Sequence, residues 1–134
     1  MKIAISAVDT TLDAEIDPRF GRCRYFIIAD ADTMEFEILD NSGAMAGGGA
    51  GIATAQTLVN KGLEAVLTGN CGPNAYQVLS AAGIKVVTGV SGTVRQAIVD
   101  YKSGKLKTSS QPNVPGHFGM GRGMGRGKGQ GWRQ

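Results

Sequence analysis

The fold of this 134-residue chain is decided by residues 65–87, which have the sequence AVLTGNCGPNAYQVLSAAGIKVV. The stretch begins with three apolar residues, as the buried strands of parallel sheets do. Pro73 stands where a first helical residue is expected, and apolar residues then recur at helical spacing until Gly83. The β-branched run 84–87 closes the stretch. We therefore predict a strand, a helix and a parallel strand.

Two further helices are predicted on either side of this unit. Apolar residues between positions 52 and 59 lie on one helical face, and Gly62 follows as a helix end. Thr93 and Gln96 have the spacing of a capping box, and the apolar positions from 94 to 101 recur helically up to Gly104. The second half of the chain therefore has the order α, β, α, β, α.

The first half of the chain has strand patterns. Residues 2–8, 25–28 and 36–39 are apolar, aromatic or β-branched runs separated by turn residues, which predicts a three-strand meander. A meander followed by the helices and strands above predicts an α/β fold, a mixed five-stranded sheet with flanking helices. Right-handed crossovers place the later strands on the far side of the first. Ligands of such sheets bind beyond the carboxyl ends of strands, here after Val8, Thr68 and Val87.

The pattern changes from about Lys105, where apolar periodicity ends and Gly and Pro accumulate. We predict one domain, residues 1–105, and a flexible tail, residues 106–134, which is too poor in apolar residues to offset its ordering entropy. Residues 1–115 contain ten Lys and Arg residues against eleven Asp and Glu residues, a balance of −1. The last nineteen residues contain four basic side chains and no acid, so the basic character belongs to the tail.

Cysteine use and hydropathy indicate the compartment. The chain has two cysteines, Cys23 and Cys71, and no Cys-x-x-Cys pair, so spacing predicts neither a disulfide framework nor a structural zinc site. The N-terminal residues contain no apolar run long enough for a signal peptide or a membrane span. We expect a cytoplasmic protein with no membrane partner.

Cys71 is the most informative single residue, because it lies between a strand end and a helix start. The helix dipole there lowers a thiol pKa and favours the thiolate that binds metals, and the neighbouring Gly72 brings backbone N–H groups close to an anionic ligand. The alternative is a small cysteine packed under a turn.

Cys23 lies between Arg22 and Arg24 at the entrance to the second strand. The guanidinium groups would stabilise a thiolate or attract an anionic cluster. The alternative is that strand alternation points Cys23 inward and both arginines to solvent.

Other residues are less informative about function. His117, the single histidine of the chain, lies in the tail and would supply a nitrogen ligand if the tail closed over a site. The glycine run 47–51 lacks the residues of a phosphate loop. Asp9, Asp13, Glu15 and Asp17 are interpreted as a solvated acidic loop. The sequence shows no nucleophile elbow and no histidine in the domain to act as a base, so we expect no enzymatic activity.

Three segments together resemble a known family: DPRFGRC at residues 17–23, GNCGPNA at 69–75, and AGIKV at 82–86 with GTV at 92–94. They resemble the dinitrogenase iron-molybdenum cofactor biosynthesis family, which includes nitrogenase accessory proteins and the orange protein of sulfate reducers. The resemblance covers residues 1 to about 105. It implies an RNase H-like fold and the binding or carriage of iron-sulfur or molybdenum-containing clusters without catalysis.

The resemblance transfers unevenly to single residues. Many members have a histidine where this chain has Arg19, so a histidine ligand at that position is excluded. Many also lack the cysteine that matches Cys71, so a ligand role for Cys71 is inferred from its position. The tail resembles an extension found in some stand-alone members.

The leading hypothesis is a non-catalytic carrier or scaffold for an iron-sulfur or molybdenum-containing cluster or its precursor. The expected partners are cluster donor and acceptor proteins, and the expected state is a monomer or weak homo-oligomer. The predicted metal ligands are Cys23, Cys71 and His117. The predicted cofactor-binding residues are Phe20, Gly21, Arg22, Arg24, Asn70, Gly72 and Asn74. The alternative is an interaction module that binds nucleic acid or protein through its Gly-Arg tail.

Overall fold

A computed structural model of the chain describes residues 1–41 and 50–109. Five strands and three helices occur there in the predicted order. The strands are β1 Lys2–Ala7, β2 Tyr25–Asp30, β3 Phe36–Asp40, β4 Ala65–Leu67 and β5 Lys85–Val87. The helices are α1 Ala50–Val59, α2 Pro73–Ala81 and α3 Val94–Lys102.

The strands form one mixed sheet in the order β3-β2-β1-β4-β5. β1 pairs antiparallel with β2 and parallel with β4, so that Ile5 lies opposite both Ile27 and Leu67. β3 pairs antiparallel with β2, and β5 pairs parallel with β4. The predicted mixed five-stranded α/β fold is confirmed, including the placement of the later strands on the far side of β1.

Alternate residues of β1 belong to two separate cores because successive side chains of a strand point to opposite faces. Ile3 and Ile5 pack in the cluster that contains Ile98 of α3. Ala4 packs in the cluster that contains Leu58 of α1 and Leu79 of α2. The sheet is therefore the middle layer, with α3 on one face and α1 and α2 on the other.

The helix ends follow the chemistry expected from the sequence. Pro73 is in the first turn of α2, and Gly83 adopts a left-handed φ of 81° just beyond its last residue, where an L side chain would be strained. The Thr93 side chain accepts a hydrogen bond of 3.2 Å from the Gln96 backbone N–H and caps α3. The capping box is only half formed, because the Gln96 side chain donates to Asp100 instead.

The first residues of the predicted tail contact the domain. Leu106 packs against the core that contains α3. The Ser109 N–H donates to the Val86 carbonyl at 2.7 Å, and the Tyr76 hydroxyl donates to the Ser109 carbonyl at 2.9 Å. The Gly-Arg repeats and His117 lie outside the described residues, as do Gly47–Gly49 of the glycine run, and the domain boundary near residue 105 stays a prediction. Within residues 1–41 and 50–109, no helix has the length and apolar character needed to span a membrane.

Candidate functional site

The candidate site lies at one edge of the sheet, which we call the carboxyl edge. β1, β4 and β5 are parallel and end there at Ala7, Leu67 and Val87. β2 starts at the same edge, because Tyr25 lies opposite both Ala7 and Asp40. The loops that follow β1, β4 and β5 therefore meet, as ligand-binding loops of open α/β sheets do.

Main-chain hydrogen bonds join the loop after β1 to the loop after β4. The Asn70 N–H donates to the Pro18 carbonyl at 2.7 Å, and the Phe20 N–H donates to the Asn70 carbonyl at 3.2 Å. Gly69 packs so closely on Pro18 that a Cβ at position 69 would lie 2.7 Å from the Pro18 Cα. The two predicted site loops, residues 20–24 and 70–74, are therefore held together as one unit.

A buried carboxylate lies beneath this junction. The Asp17 side chain is only 5% exposed and forms a two-pronged ion pair with Arg19, from Nε to Oδ1 at 3.1 Å and from Nη2 to Oδ2 at 3.2 Å. Asp17 Oδ1 also accepts from the Arg19 backbone N–H at 3.0 Å. The hydrogen bond and the charge of Asp17 raise the pKa of the Arg19 guanidinium above its usual value. The interpretation of Asp17 as part of a solvated acidic loop is therefore wrong.

Sequence reasoning missed Asp17 and Arg19 as site residues. One pattern that predicts this arrangement is Asp-Pro-Arg, because an aspartate readily accepts a hydrogen bond from the backbone two residues later. A count of charges does not single out Asp17, because the other acidic residues of the loop are exposed. Asp13, for example, pairs with Arg95 at 3.1 Å while its side chain is 77% exposed.

Cys23 is completely buried, whereas Arg22 and Arg24 are exposed. The Cys23 thiol lies 3.3 Å from the Phe20 carbonyl, and the Asn41 side chain donates to the Cys23 carbonyl at 2.9 Å. Burial first, and the negative charge of Asp17 second, raise the pKa of Cys23 to about 12. The interpretation with Cys23 inward and both arginines outward is confirmed.

Cys71 is also buried, with 1% of its surface exposed. Burial raises the pKa of Cys71 to about 12. The expectation of a lowered pKa at the start of α2 is wrong, because burial disfavours the charged thiolate and raises the pKa instead. Both cysteines belong to the core cluster between the sheet and helices α1 and α2.

We predict that both thiols are protected from reagents in the folded protein. A pKa raised to about 12 leaves very little thiolate at neutral pH, and burial also blocks access. Ellman's reagent at pH 7.5 should label neither cysteine at a measurable rate until urea unfolds the chain. Rapid labelling of both thiols in the native protein would contradict the buried arrangement.

The same pKa values predict the direction of an alkaline destabilisation. Each folded pKa is higher than the unfolded value near 9, so the stabilising contribution is complete below about pH 9 and is lost as the pH rises towards 12. Absorbance of thiolate at 240 nm should accordingly rise together with the loss of native circular dichroism, not before it.

The remaining predicted site residues differ in how far they are exposed to solvent. The Phe20 ring is 3% exposed and packs edge-on against Phe26, with ring centroids 5.4 Å apart. Arg24 lies over the Tyr25 ring at 5.2 Å, and Gly21 is half-buried. Asn70, Gly72 and Asn74 lie around the start of α2, where both asparagines are exposed.

Two helix starts meet beside these loops. A Cβ on Gly51 of α1 would lie 3.5 Å from the Ala75 Cβ of α2, so the first turns of the two helices are in contact. The N-cap of α2 is Gly72, which offers no side-chain cap, and neither first turn contains an acidic residue. By contrast, α3 is covered by carbonyls of the loop after β1: Val94 and Arg95 donate to Ala14 and Leu12.

This arrangement fits an anion better than a bare metal ion. Helix starts and guanidinium groups attract negative charge. In the described part of the chain, no three His, Cys, Asp or Glu side chains are grouped to hold a metal ion. The residues therefore fit an anionic ligand held by hydrogen bonds to its outer atoms, and direct metal ligation by Cys23 or Cys71 requires that the buried thiols first lose their protons.

Known proteins resemble the chain over nearly all of its domain. Residues 1–104 match the family described as dinitrogenase iron-molybdenum cofactor. The apo form of the orange protein from Desulfovibrio gigas is 43% identical, with a TM-score of 0.81 over 84% of this chain and 95% of that one. A Thermotoga protein provisionally named a NifB protein is 37% identical, with a TM-score of 0.69 over 80% of this chain and 91% of that one.

A curated relative gives the same result. An uncharacterised protein of Methanocaldococcus jannaschii is 32% identical over 110 residues, which are 80% of this chain and 90% of that protein. The resemblance inferred from the three sequence segments is confirmed. The chain belongs to the dinitrogenase iron-molybdenum cofactor family.

Proposed function

We propose that the protein is a cytoplasmic, non-catalytic carrier or scaffold for an anionic iron-sulfur or molybdenum-containing cluster, or for a precursor of one. The observation that carries the proposal is the pair of helix starts at the carboxyl edge, α1 and α2, in a chain of this family. Two adjacent helix starts without acidic residues would offer backbone N–H donors to the outer sulfur or oxygen atoms of a cluster. The cluster is the cargo, and the protein's contribution is to hold it.

The basic side chains support the same proposal. Arg22 and Arg24 are exposed beside the loop that Phe20 anchors to Asn70. Their positive charges would favour approach of an anionic cluster, and the N-cap Gly72 has no side chain that could occupy the first N–H groups of α2. The buried Phe20 and the half-buried Gly21 would fix the conformation of this loop, and the exposed Asn70 and Asn74 would line the start of α2.

The cysteines are proposed as ligands that become available after binding begins. Both are neutral and buried in the free protein, so ligation requires local opening and release of a proton for each metal–sulfur bond. Metal binding through the thiols should therefore strengthen as the pH rises. If binding is independent of pH between 6 and 9, the cluster is held without the thiols.

His117 is proposed as a further ligand from the tail. Ser109 is fixed at the carboxyl end of β5 by its bonds to Val86 and Tyr76, so the remainder of the chain starts at the candidate site. Seven residues lie between Ser109 and His117, so the two Cα atoms can be at most about 26 Å apart along an extended chain. Because Ser109 contacts Tyr76, three residues after Pro73, a chain of that reach would bring His117 to the start of α2.

The proposal includes the protein partners and the oligomeric state expected from the sequence. Cluster donor and acceptor proteins would meet the carboxyl edge, and a monomer or weak homo-oligomer would leave that edge open. An RNase H-like fold is part of the same proposal. The alternative function, binding of nucleic acid or protein through the Gly-Arg tail, depends on residues outside those described.

Anaerobic reconstitution tests the proposal. The full chain is incubated with iron and sulfide, or with molybdate or tetrathiomolybdate, and desalted. We expect metal and visible absorbance to co-elute with the protein, and we expect a variant that ends at Ser109 to retain most of the metal. Absence of metal under every condition contradicts the carrier function.

The same experiment separates the proposed ligands. A Cys23→Ala/Cys71→Ala double variant that binds the same amount of metal with the same spectrum shows that the thiols are not ligands. A His117→Ala variant tests the tail ligand in the same way. If the variant ending at Ser109 keeps its cluster but loses affinity for nucleic acid, the tail has a separate binding function.

A further inference from the structure

The Arg19 side chain is fixed on one side and open on the other. A guanidinium group has five N–H donors. Nε–H and one N–H of Nη2 donate to the two Asp17 oxygens. Arg19 has no other side-chain partner within residues 1–41 and 50–109, which leaves both N–H groups of Nη1 and one of Nη2 on the outer side. The side chain is 65% exposed, so this outer side reaches solvent.

Arg19 lies at the carboxyl edge, beside the loop that starts α2. Its backbone forms a parallel bridge with Asn70, three residues before Pro73. Its charge also acts on the Cys23 thiol, whose pKa is raised by burial and, to a smaller extent, lowered by Arg19. The guanidinium is therefore next to the loops of the proposed cluster site, although the sequence analysis did not include it among the binding residues.

Asp17 gives Arg19 a fixed orientation that an exposed arginine ordinarily lacks. The carboxylate is 5% exposed, and its oxygens are occupied by the Arg19 side chain and the Arg19 backbone N–H. The Asp17 carbonyl accepts a hydrogen bond of 2.6 Å from the buried Ser6 hydroxyl, which itself lies 2.8 Å from the Thr68 hydroxyl. The main chain at Asp17 is therefore held by Ser6 of β1, and Ser6 in turn contacts Thr68 at the end of β4.

We propose that Arg19, oriented by Asp17, is an anion-recognition residue that binds a tetrahedral dianion, of the oxometallate or thiometallate type, through its outer Nη1 and Nη2 donors. Two parallel N–H donors match two oxygen or sulfur atoms of such an anion, as they match a carboxylate or a phosphate. This inference rests on the proposed function and specifies it, because it names the residue that would recognise the cargo precursor at the carboxyl edge and the residue that would orient it.

The test compares affinities of the full-length protein for molybdate, tetrathiomolybdate and phosphate by equilibrium dialysis without oxygen. Arg19→Lys keeps the charge but has no planar pair of donors, and we expect binding of the favoured anion to weaken about 10-fold or more. Arg95→Lys is the matched control: Arg95 is an exposed arginine that also pairs through Nε with an aspartate, but that aspartate is exposed. We expect no change in affinity for this control.

Asp17→Asn separates orientation from charge. If Asp17 only adds negative charge near the site, removing that charge tightens anion binding. If Asp17 orients Arg19, the asparagine loses the acceptor for Nη2, and binding weakens about 10-fold. We expect weaker binding, and far-UV circular dichroism of each variant confirms that the fold is retained before its affinity is compared.

The outcomes for this inference and for the carrier function are distinct. Equal affinity in the wild type and Arg19→Lys, tighter binding by Asp17→Asn, or no binding of any tetrahedral anion by the wild type overturns the role of Arg19. Loading of a cluster by the wild type in that case leaves the carrier function intact. Conversely, Arg19-dependent anion binding by a protein that never loads a cluster supports Arg19 and contradicts the carrier function.

Discussion

Replacing Gly69 with alanine should lower the free energy of unfolding by about 3 kcal/mol, which is a large effect for one methyl group. The added Cβ would lie 2.7 Å from the Pro18 Cα, 2.9 Å from its Cβ and 3.0 Å from its carbonyl oxygen. Backbone atoms cannot rotate away as the end of a flexible side chain can. The loops after β1 and β4 must therefore separate, which disrupts the two hydrogen bonds of Asn70 with Pro18 and Phe20.

Urea unfolding of Gly69→Ala measures this effect, and Gly51→Ala is the matched control. Among residues 1–41 and 50–109, a Cβ on Gly51 meets the Ala75 Cβ alone, at an ordinary contact distance of 3.5 Å. Since alanine is the better helix former, we expect Gly51→Ala to be neutral or to stabilise the protein by up to about 1 kcal/mol. A Gly69→Ala variant within about 0.5 kcal/mol of the wild type would show that the loops are not packed as described.

Replacing Phe20 with alanine should cost about 3–5 kcal/mol of unfolding free energy, the range for deleting a buried aromatic ring. Phe20 is 3% exposed, and its ring packs edge-on against Phe26 at an interplanar angle of 63°. The ring belongs to the core between the sheet and α2, and it attaches the loop that leads to Cys23 to that core. Removal of the ring leaves a cavity and frees the loop.

Phe20→Leu distinguishes packing from ligand contact. Leucine keeps most of the apolar volume, so we expect it to restore most of the stability and, if Phe20 acts through packing, most of the cluster binding as well. Thermal and urea unfolding measure the first, and metal retained after desalting measures the second. A stable Phe20→Ala variant that loses less than about 1 kcal/mol but no longer binds a cluster would instead assign Phe20 to direct contact with the ligand.

The secondary structure was predictable because local chemistry specified each element. Pro73 and Gly83 bound α2, Thr93 caps α3, and the apolar run 65–67 is a buried strand. Connection rules then gave the strand order, in which β4 and β5 lie beyond β1. The half-formed capping box shows the limit of such rules, because the Gln96 side chain has a competing partner in Asp100.

The meeting of the two loops at the carboxyl edge was predictable from the sequence, whereas the electrostatics of these loops were not. The loops around residues 20–24 and 70–74 were identified from glycines, cysteines and arginines, and the structure joins them. The protonation of Cys71 was predicted in the wrong direction, because a sequence pattern reveals the helix start but not the depth of burial. Asp17 was assigned to solvent for the same reason.

The sequence by itself determined the order of strands and helices, the edge of the sheet where the loops meet, and the family, because these depend on periodicity, turn residues and short motifs. Only the tertiary structure decided which charged and nucleophilic groups are withdrawn from water. Solvation depends on neighbours distant in the chain: Pro18 against Gly69, Ser6 beneath Asp17, and the core around Cys23 and Cys71. That desolvation raises the pKa of both thiols and surrounds the Asp17 carboxylate that orients Arg19, and the depth of burial cannot be inferred from residues adjacent in sequence.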